Sequence, residues 1–317
     1  MAHHLTTLRS GDVVGLSAAG DPLAERLVLL CLPTPGGGMF DPDPTVTSRW
    51  GVHLVALDRP GYGATPAPGD PGPDALSPGD PSNDGATPGA RATIQRRADE
   101  LAAYLSAAHD DAEQTQAAAY GTAGVVGWGT GGMVALSLAA RHPQLVDRVA
   151  VFQTPAPRAT GSGSGDEANP VPSTSSALSP PFGLELLGIS PGDRLLERPG
   201  LRNRLQRMLD EAAAQGGAGA ELDHEALADT SWADELGTIR ADVKLIYADE
   251  ATDAGVDDGH WYRDRIPSST VVRVSSGGAL ALVTQWSRIL EHVAPDHGGL
   301  PEVARHGEPP ERADRRD

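Results

Sequence analysis

The sequence predicts an α/β fold with a mostly parallel central sheet, helices on both faces and a small helical cap insertion. Short apolar runs of strand length recur along the chain, and some are followed by segments in which apolar residues have helical spacing. The length of 317 residues suits one large α/β domain that carries an insertion. Together these observations favour strands that alternate with helices around one core.

Six apolar runs are predicted to be strands. They have the length of strands rather than of helices, and turn-forming residues or helical segments bound them. They cover residues 26–32, 54–57, 125–126, 148–152, 243–247 and 270–274. Apolar residues have helical spacing in two segments: residues 133–141, after the third run, and residues 261–265, between the last two runs.

The third run leads into Gly127-Trp128-Gly129-Thr130-Gly131. A strand that turns sharply into a helix, with small residues around the turn, is typical of a nucleophile elbow, G-x-S-x-G. In that motif the middle serine attacks the substrate. Here Gly129 stands in the place of the serine, and it carries no atom that can attack.

This motif and the segments on either side of it resemble the sequence pattern of the α/β-hydrolase superfamily. The loop at 33–38 resembles the oxyanion loop of that family, and the segment 58–63 resembles its D-R-x-G-x-G turn. The resemblance covers residues 10–155 and 238–294. It implies an α/β-hydrolase fold with a helical cap, and it implies places for a catalytic serine, acid and histidine.

All three of those places lack the catalytic group. The resemblance aligns the serine with Gly129, the acid after the penultimate strand with Ala251, and the histidine after the last strand with Ala279. A neutral hydroxyl needs an imidazole to take its proton and a carboxylate to orient the imidazole. Removing such a triad costs about a million-fold in turnover. We therefore predict no catalytic residue here and no ordinary serine-hydrolase activity.

Substitutes for the lost groups are few. Asp249 and Asp253 lie within two residues of the acid position, so a small shift of the loop would supply an acid. No histidine replaces the base: His260 is expected in a structural helix start, and His292 is expected on the surface of the last helix.

One literal G-x-S-x-G occurs, from Gly188 to Gly192, with Ser190 in the middle. No predicted strand precedes it, and a nucleophile elbow requires one. Ser190 is instead expected to cap the start of a helix, because a proline and an acid follow it in the first turn.

Composition divides the chain into a core, an insertion and a tail. The core is predicted over 1–154, with a low-complexity loop at 66–90, and over 238–294. Residues 155–237 are expected to hold a flexible linker at 157–181 and cap helices at 182–189, 192–215 and 222–230. Residues 295–317 form a charged tail that is expected to be disordered, because it cannot bury enough apolar surface.

The cap is expected over the carboxyl edge of the sheet, where open α/β sheets hold their ligands. The residues predicted to bind a ligand there are Thr34, Met39, Phe40, Trp128, Thr130 and Leu280, with Pro35, Val256, Phe182 and Leu186 around them. Replacing three polar groups leaves an apolar site, so the expected ligand is a hydrophobic small molecule. The alternative is that these side chains simply fill the space under the cap.

The net charge of −18 disfavours nucleic acid and anionic membranes as partners. The single cysteine, Cys31, lies in a predicted strand, which excludes a disulfide framework and indicates a core residue. No apolar run is long enough to span a membrane, and the N-terminus does not have the pattern of a signal peptide. We expect a cytoplasmic protein without metal or cofactor.

Two functions of different classes follow. The first is a non-catalytic member of the superfamily that binds a small molecule or a protein partner. The second is an enzyme with a non-standard site: an esterase-like hydrolase with reassigned residues, or a lyase, isomerase or cyclase for a hydrophobic metabolite. Fold analogy does not choose between them.

Overall fold

A computed structural model describes residues 2–8, 11–38, 40–68, 92–115, 121–157 and 179–297. Met39 and most of the predicted loop at 66–90, linker at 157–181 and tail at 295–317 lie outside the described residues. The predictions made for those segments therefore stay predictions.

In the described part of the chain, eight strands form one sheet in the order β1-β2-β4-β3-β5-β6-β7-β8. The strands are Ala2–Thr7 (β1), Val13–Gly20 (β2), Leu27–Cys31 (β3), His53–Leu57 (β4), Ala123–Trp128 (β5), Val146–Phe152 (β6), Asp242–Ala248 (β7) and Ser269–Val274 (β8). β2 runs antiparallel to both β1 and β4, and every other neighbouring pair is parallel. The predicted mostly parallel sheet is confirmed.

The inner strands are buried on both faces, which is why their sequences are continuous apolar runs. In β3, Val28 and Leu30 contribute to one apolar cluster, and Leu27 and Leu29 contribute to the other, on the opposite face. All six predicted runs form strands, β3 to β8. β1 and β2 were not predicted, because these antiparallel strands at one edge of the sheet lack a continuous apolar run.

Helices cover both faces, as predicted. They are Pro44–Trp50 (α1), Ile94–Thr115 (α2), Gly131–Arg141 (α3), Leu201–Ala212 (α4), Ala218–Leu227 (α5), Val256–Arg263 (α6), Ala281–Thr284 (α7) and Trp286–Val293 (α8). α1 and α8 contribute to the first apolar cluster, and α2, α3 and α6 contribute to the second. The helix expected at 133–141 is α3, and the one expected at 261–265 is α6, which begins five residues earlier.

The cap region differs in detail from the prediction. The segment 192–215 is not one helix: a 3₁₀ turn, Arg194–Glu197, precedes α4, and Gly200 separates the two with φ +73°. Ser190 is not the capping residue, because the carboxylate of Asp193 accepts the N–H of Leu195 instead. The literal motif from Gly188 to Gly192 follows the 3₁₀ turn Leu184–Leu187 rather than a strand, so it is not an elbow.

Candidate functional site

The strand-to-helix turn after β5 has the geometry of a nucleophile elbow. Gly129 follows the last residue of β5, precedes α3 by two residues, and has φ +55°, in the left-handed region that favours glycine. Its N–H donates to the carbonyl of Phe152 (2.8 Å), and its carbonyl accepts the N–H of Gly132 (3.0 Å). A Cβ on Gly132 would lie 1.8 Å from Oγ1 of Thr154, so the helix start has room only for glycine.

The other two triad-equivalent positions lie on the loops that follow β7 and β8. Because β5, β7 and β8 share one direction, Gly129, Ala251 and Ala279 all lie at the carboxyl edge of the sheet. The two loops are joined where the carboxylate of Glu250 accepts the N–H of Gly277 (3.1 Å). Ala279 belongs to the apolar cluster that contains Trp128, and Ala251 packs against the same cluster. Their equivalence to a triad stays a prediction.

The nearby acids have other partners. Asp249 is paired with Arg273 on β8. Asp253 accepts the hydroxyl of Thr252 (3.1 Å), and its carboxylate lies against Gly188 in the cap, where a Cβ would meet Oδ2 at 2.3 Å. Both carboxylates are therefore already engaged on the loop that was expected to supply a replacement acid.

The two histidines considered as replacements for the catalytic base, His260 and His292, have the following surroundings. His260 lies in α6 with its side chain half exposed, and its Nδ1 is 3.9 Å from the carboxylate of Asp257. The expectation that His292 lies on the surface is wrong: it is 7% exposed, and its Nε2 lies 3.0 Å from the carbonyl of Val149 and 3.1 Å from that of Asp242. α8 packs against β6, so this face of the helix meets the sheet, and burial lowers the pKa of His292.

The oxyanion-like loop is hydrogen-bonded to the turn after β5. The N–H of Thr34 donates to Oγ1 of Thr130 (2.9 Å), and the hydroxyl of Thr130 donates to that of Thr34 (3.0 Å). The N–H of Thr34, on the loop that resembles an oxyanion loop, therefore already has an acceptor. In the same region Cys31 is buried, and burial raises the pKa of its thiol to about 12, as suits the predicted core residue.

Behind this loop lies a buried ionic cluster that the sequence analysis missed. Its centre is Asp223 of α5, which is 4% exposed. The carboxylate accepts hydrogen bonds from Arg59 (2.8 Å), from the hydroxyl of Tyr62 (2.8 Å) and from the hydroxyl of Thr34 (2.6 Å). Nη2 of Arg97, on α2, lies 2.8 Å from its other oxygen. The cluster joins four separate segments at one carboxylate.

The two arginines keep Asp223 ionised. Burial alone raises the pKa of the carboxyl, but Arg59, Arg97 and the hydrogen bond from Thr34 outweigh it and hold the pKa of Asp223 below its usual range. A signal for this cluster was present in the sequence. Asp223 lies in the buried stripe of α5 together with Gly219, Ala220 and Ala226, and a charge on such a stripe requires a partner.

The residues predicted to bind a ligand fall into two groups. Phe40, Trp128 and Leu280 are buried in the first apolar cluster, and the rings of Phe40 and Trp128 lie 5.5 Å apart. This packing agrees with the alternative that these side chains fill the space under the cap. Thr34 and Thr130 instead line a cavity, and Met39 lies outside the described residues. Ligand binding by any of them stays a prediction.

That cavity has a volume of about 50 Å³ and lies between the end of β3 and helices α2, α3 and α5. It is apolar along Leu29, Ile94, Leu101, Val134 and Leu227, and charged near Arg59, Arg97, Glu100 and Asp223. Its described lining does not include Gly129, Ala251 or Ala279.

Solved structures with similar folds decide the fold. No protein-family model and no curated protein sequence matches the chain. A hydrolase from Pseudomonas aeruginosa and an enol-lactonase from Burkholderia xenovorans both superpose with a TM-score of 0.62, at 18% and 17% identity. Each alignment covers 91% of this chain and 97% or 100% of the other. This chain has the α/β-hydrolase fold. An esterase from Exiguobacterium antarcticum is similar at a TM-score of 0.61 and 15% identity, over 92% of this chain and 97% of its own.

Within the described α/β-hydrolase fold, no group of three or more His, Cys, Asp and Glu side chains is placed to hold a metal ion. Of the helices that the structure describes, none is both long enough and apolar enough to cross a membrane.

Proposed function

We propose that this α/β-hydrolase-fold protein does not use serine-hydrolase chemistry and acts by binding, with a small molecule as the ligand. One observation carries the proposal: Gly129 occupies the elbow after β5 with φ +55°, where the fold otherwise presents the attacking side chain. Glycine has no side chain to attack with, and the loops after β7 and β8 contribute alanine at the matching places.

The surroundings support this proposal against a reassigned hydrolase. Asp249 is paired with Arg273, and Nε2 of His292 faces two carbonyls inside the core. Among the hydroxyls near the elbow, that of Thr34 donates to Asp223. The ionised carboxylate of Asp223 has a lowered pKa, so it is a poor acceptor for the proton of this hydroxyl. Among the described residues, the hydroxyls of Thr34 and Thr130 have hydrogen bonds with each other and with Asp223, and none of these bonds involves an imidazole.

The test is labelling with a fluorophosphonate probe together with a panel of short acyl esters. We expect no stoichiometric labelling of the purified protein and no ester hydrolysis above that of the Ser190→Ala variant, which lacks the one literal motif serine. An active serine esterase treated in parallel verifies the probe. Stoichiometric labelling of any serine, mapped by peptide mass, would overturn the proposal.

A further inference from the structure

A second cavity, with a volume of about 330 Å³, lies between the end of β2, helix α1 and helix α4. This volume suits a small molecule, because ligand pockets usually enclose roughly 300–1,000 Å³. Its described lining includes Ala19, Asp41, Pro44, Arg204 and Arg207, and it does not include the triad-equivalent positions. Three charged side chains in so short a lining indicate a site for a polar ligand rather than a gap in apolar packing.

Asp41 is the buried acid of this cavity, and it is only 2% exposed. Its Oδ1 accepts the N–H of Asp43 (3.1 Å) and the hydroxyl of Thr47 (2.8 Å), whereas its Oδ2 has no partner in the part of the chain that the structure describes. Burial raises the pKa of the carboxyl to about 6, and the hydrogen bonds and the charge of Arg204 offset this only in part. At neutral pH the cavity therefore contains an ionised carboxylate that is costly to bury and has an open acceptor.

The two arginines lie one turn apart on α4, and neither is paired with a carboxylate among the described residues. Arg204 donates from Nε to the carbonyl of Asp41 (3.0 Å) and from Nη2 to that of Pro42 (3.1 Å). Arg207 makes one long contact, from Nε to the carbonyl of Asn203 (3.4 Å). Its guanidinium therefore keeps donors for an anionic group of a ligand.

The presence of both signs of charge in one cavity restricts the class of ligand. A simple cation would meet the charges of Arg204 and Arg207, and a simple anion would meet the carboxylate of Asp41. A zwitterion is compatible with both, because its ammonium group donates to the acid and its carboxylate accepts from an arginine. Such a ligand also adds no net charge to the site.

We propose that this cavity binds a free α-amino acid, with the ammonium group against Oδ2 of Asp41 and the carboxylate against the guanidinium of Arg207. Ala19 and Pro44 provide an apolar surface for an aliphatic side chain. The other nearby acid, Asp43, does not compete for the ammonium group, because its carboxylate caps the first turn of α1. This inference rests on the proposed binding function and names a site and a ligand class for it.

The test uses L-leucine as the probe and two compounds that each lack one of its charges. 4-Methylpentanoate is leucine without the ammonium group, and 3-methylbutylamine is leucine without the carboxylate. Isothermal titration calorimetry of the full chain at neutral pH is expected to show saturable binding of leucine. Both controls are expected to bind at least about tenfold more weakly, since each loses a hydrogen bond between charged groups.

Two substitutions separate the two ends of the ligand. Asp41→Asn is expected to weaken leucine binding by about 10- to 100-fold, the range typical of a lost hydrogen bond to a charged group, and not to weaken 4-methylpentanoate. Arg207→Gln is expected to weaken leucine and 4-methylpentanoate but not 3-methylbutylamine. Arg202→Gln is the matched control, because Arg202 lies on the same helix outside the described lining, and it is expected to leave leucine affinity unchanged.

The proposal stays testable if Asp41→Asn does not fold, because Arg207 is exposed and its substitution is expected to leave the fold intact. Three results would overturn the proposal: no saturable binding of glycine, alanine or leucine, binding of leucine no tighter than that of both controls, or unchanged leucine affinity in Arg207→Gln. The first result would mean that the cavity holds solvent only.

These outcomes are distinct from failure of the proposed function. Stoichiometric fluorophosphonate labelling would contradict the loss of hydrolase chemistry without affecting this cavity. Absent binding of amino acids, with no labelling, would contradict the site and the ligand class alone.

Discussion

At the scale of single residues, Gly129 links the backbone geometry of the elbow to the proposed loss of its chemistry. A residue with a side chain at φ +55° is held in a sparsely populated conformation that costs about 1–3 kcal/mol, whereas glycine adopts it with little penalty. A Cβ there would also lie 3.2 Å from Cβ of Pro33, which is a tight contact. An elbow that no longer needs a nucleophile is therefore more stable with glycine.

We accordingly expect Gly129→Ser to lower the free energy of unfolding by about 1–3 kcal/mol and to restore little ester hydrolysis by itself. Thermal and denaturant unfolding beside the parent protein measure the first effect. Gly192→Ser is the matched control, because a Cβ at Gly192 meets nothing within 4 Å, and it is expected to change stability by less than about 0.5 kcal/mol. An unchanged or higher midpoint for Gly129→Ser contradicts the interpretation.

At the scale of elements, α5 is fixed to the sheet edge by charge as well as by apolar packing. Asp223 connects this helix to the loop after β4 through Arg59 and Tyr62, and to α2 through Arg97. Removing one partner from a buried ionic cluster leaves the other charges desolvated and uncompensated, which is far more costly than losing an exposed pair.

We expect Asp223→Asn to lower the free energy of unfolding by about 3–5 kcal/mol and to loosen α5. Denaturant unfolding measures the first effect, and amide hydrogen exchange over Ala218–Leu227 measures the second. Asp242→Asn provides the comparison, because Asp242 pairs with Arg148 at the surface, and its loss is expected to cost about 1 kcal/mol or less. Equal effects of the two substitutions would show that the Asp223 cluster does not hold the helix.

The elements also show which features the sequence predicts and which it does not. β3 to β7 were predictable because strands buried on both faces need continuous apolar runs, and the partly buried edge strand β8 was predictable from its β-branched residues. α1 was not predicted, although Asp43 accepts the N–H groups of Thr45 and Val46 in its first turn and Pro44 begins it, since seven residues carry little periodicity. The cluster at Asp223 joins residues far apart in the chain, so only the charge on a buried stripe indicated it.

At the scale of the whole molecule, two buried titratable groups act on stability in opposite directions. Burial lowers the pKa of His292 below that of the unfolded chain, so the unfolded state binds more protons below about pH 6.5. Stability is therefore expected to fall as the pH decreases through that region. Replacing His292 with Gln is expected to reduce this acid-side loss, measured as the unfolding midpoint between pH 5 and 8. An acid-side slope that is the same in both proteins contradicts the assignment.

Asp41 acts in the other direction, at the place where α1, α8 and the cap meet. Its carboxylate accepts the hydroxyl of Thr47 (2.8 Å), which in turn accepts Nε1 of Trp286, and Arg204 of α4 donates to the carbonyl of Asp41 (3.0 Å). Burial raises the pKa of Asp41 from 3.8 to about 6, even though the hydrogen bonds lower it. The folded state therefore binds more protons than the unfolded state between about pH 4 and 6.

Because of that difference, the contribution of Asp41 to stability falls as the pH rises through this window. Above the window, the full free-energy cost of burying the ionised carboxylate remains, on the order of 3 kcal/mol. An asparagine keeps the hydrogen-bond acceptor for Thr47 but has no charge to bury. We expect Asp41→Asn to raise the unfolding midpoint at pH 7.5 and to have little effect at pH 4. Asp264→Asn, at an exposed pair with Arg263, is expected to change neither midpoint by more than a small amount. If Asp41→Asn destabilised the protein equally at both pH values, the carboxylate would act through its hydrogen bonds and not through its buried charge.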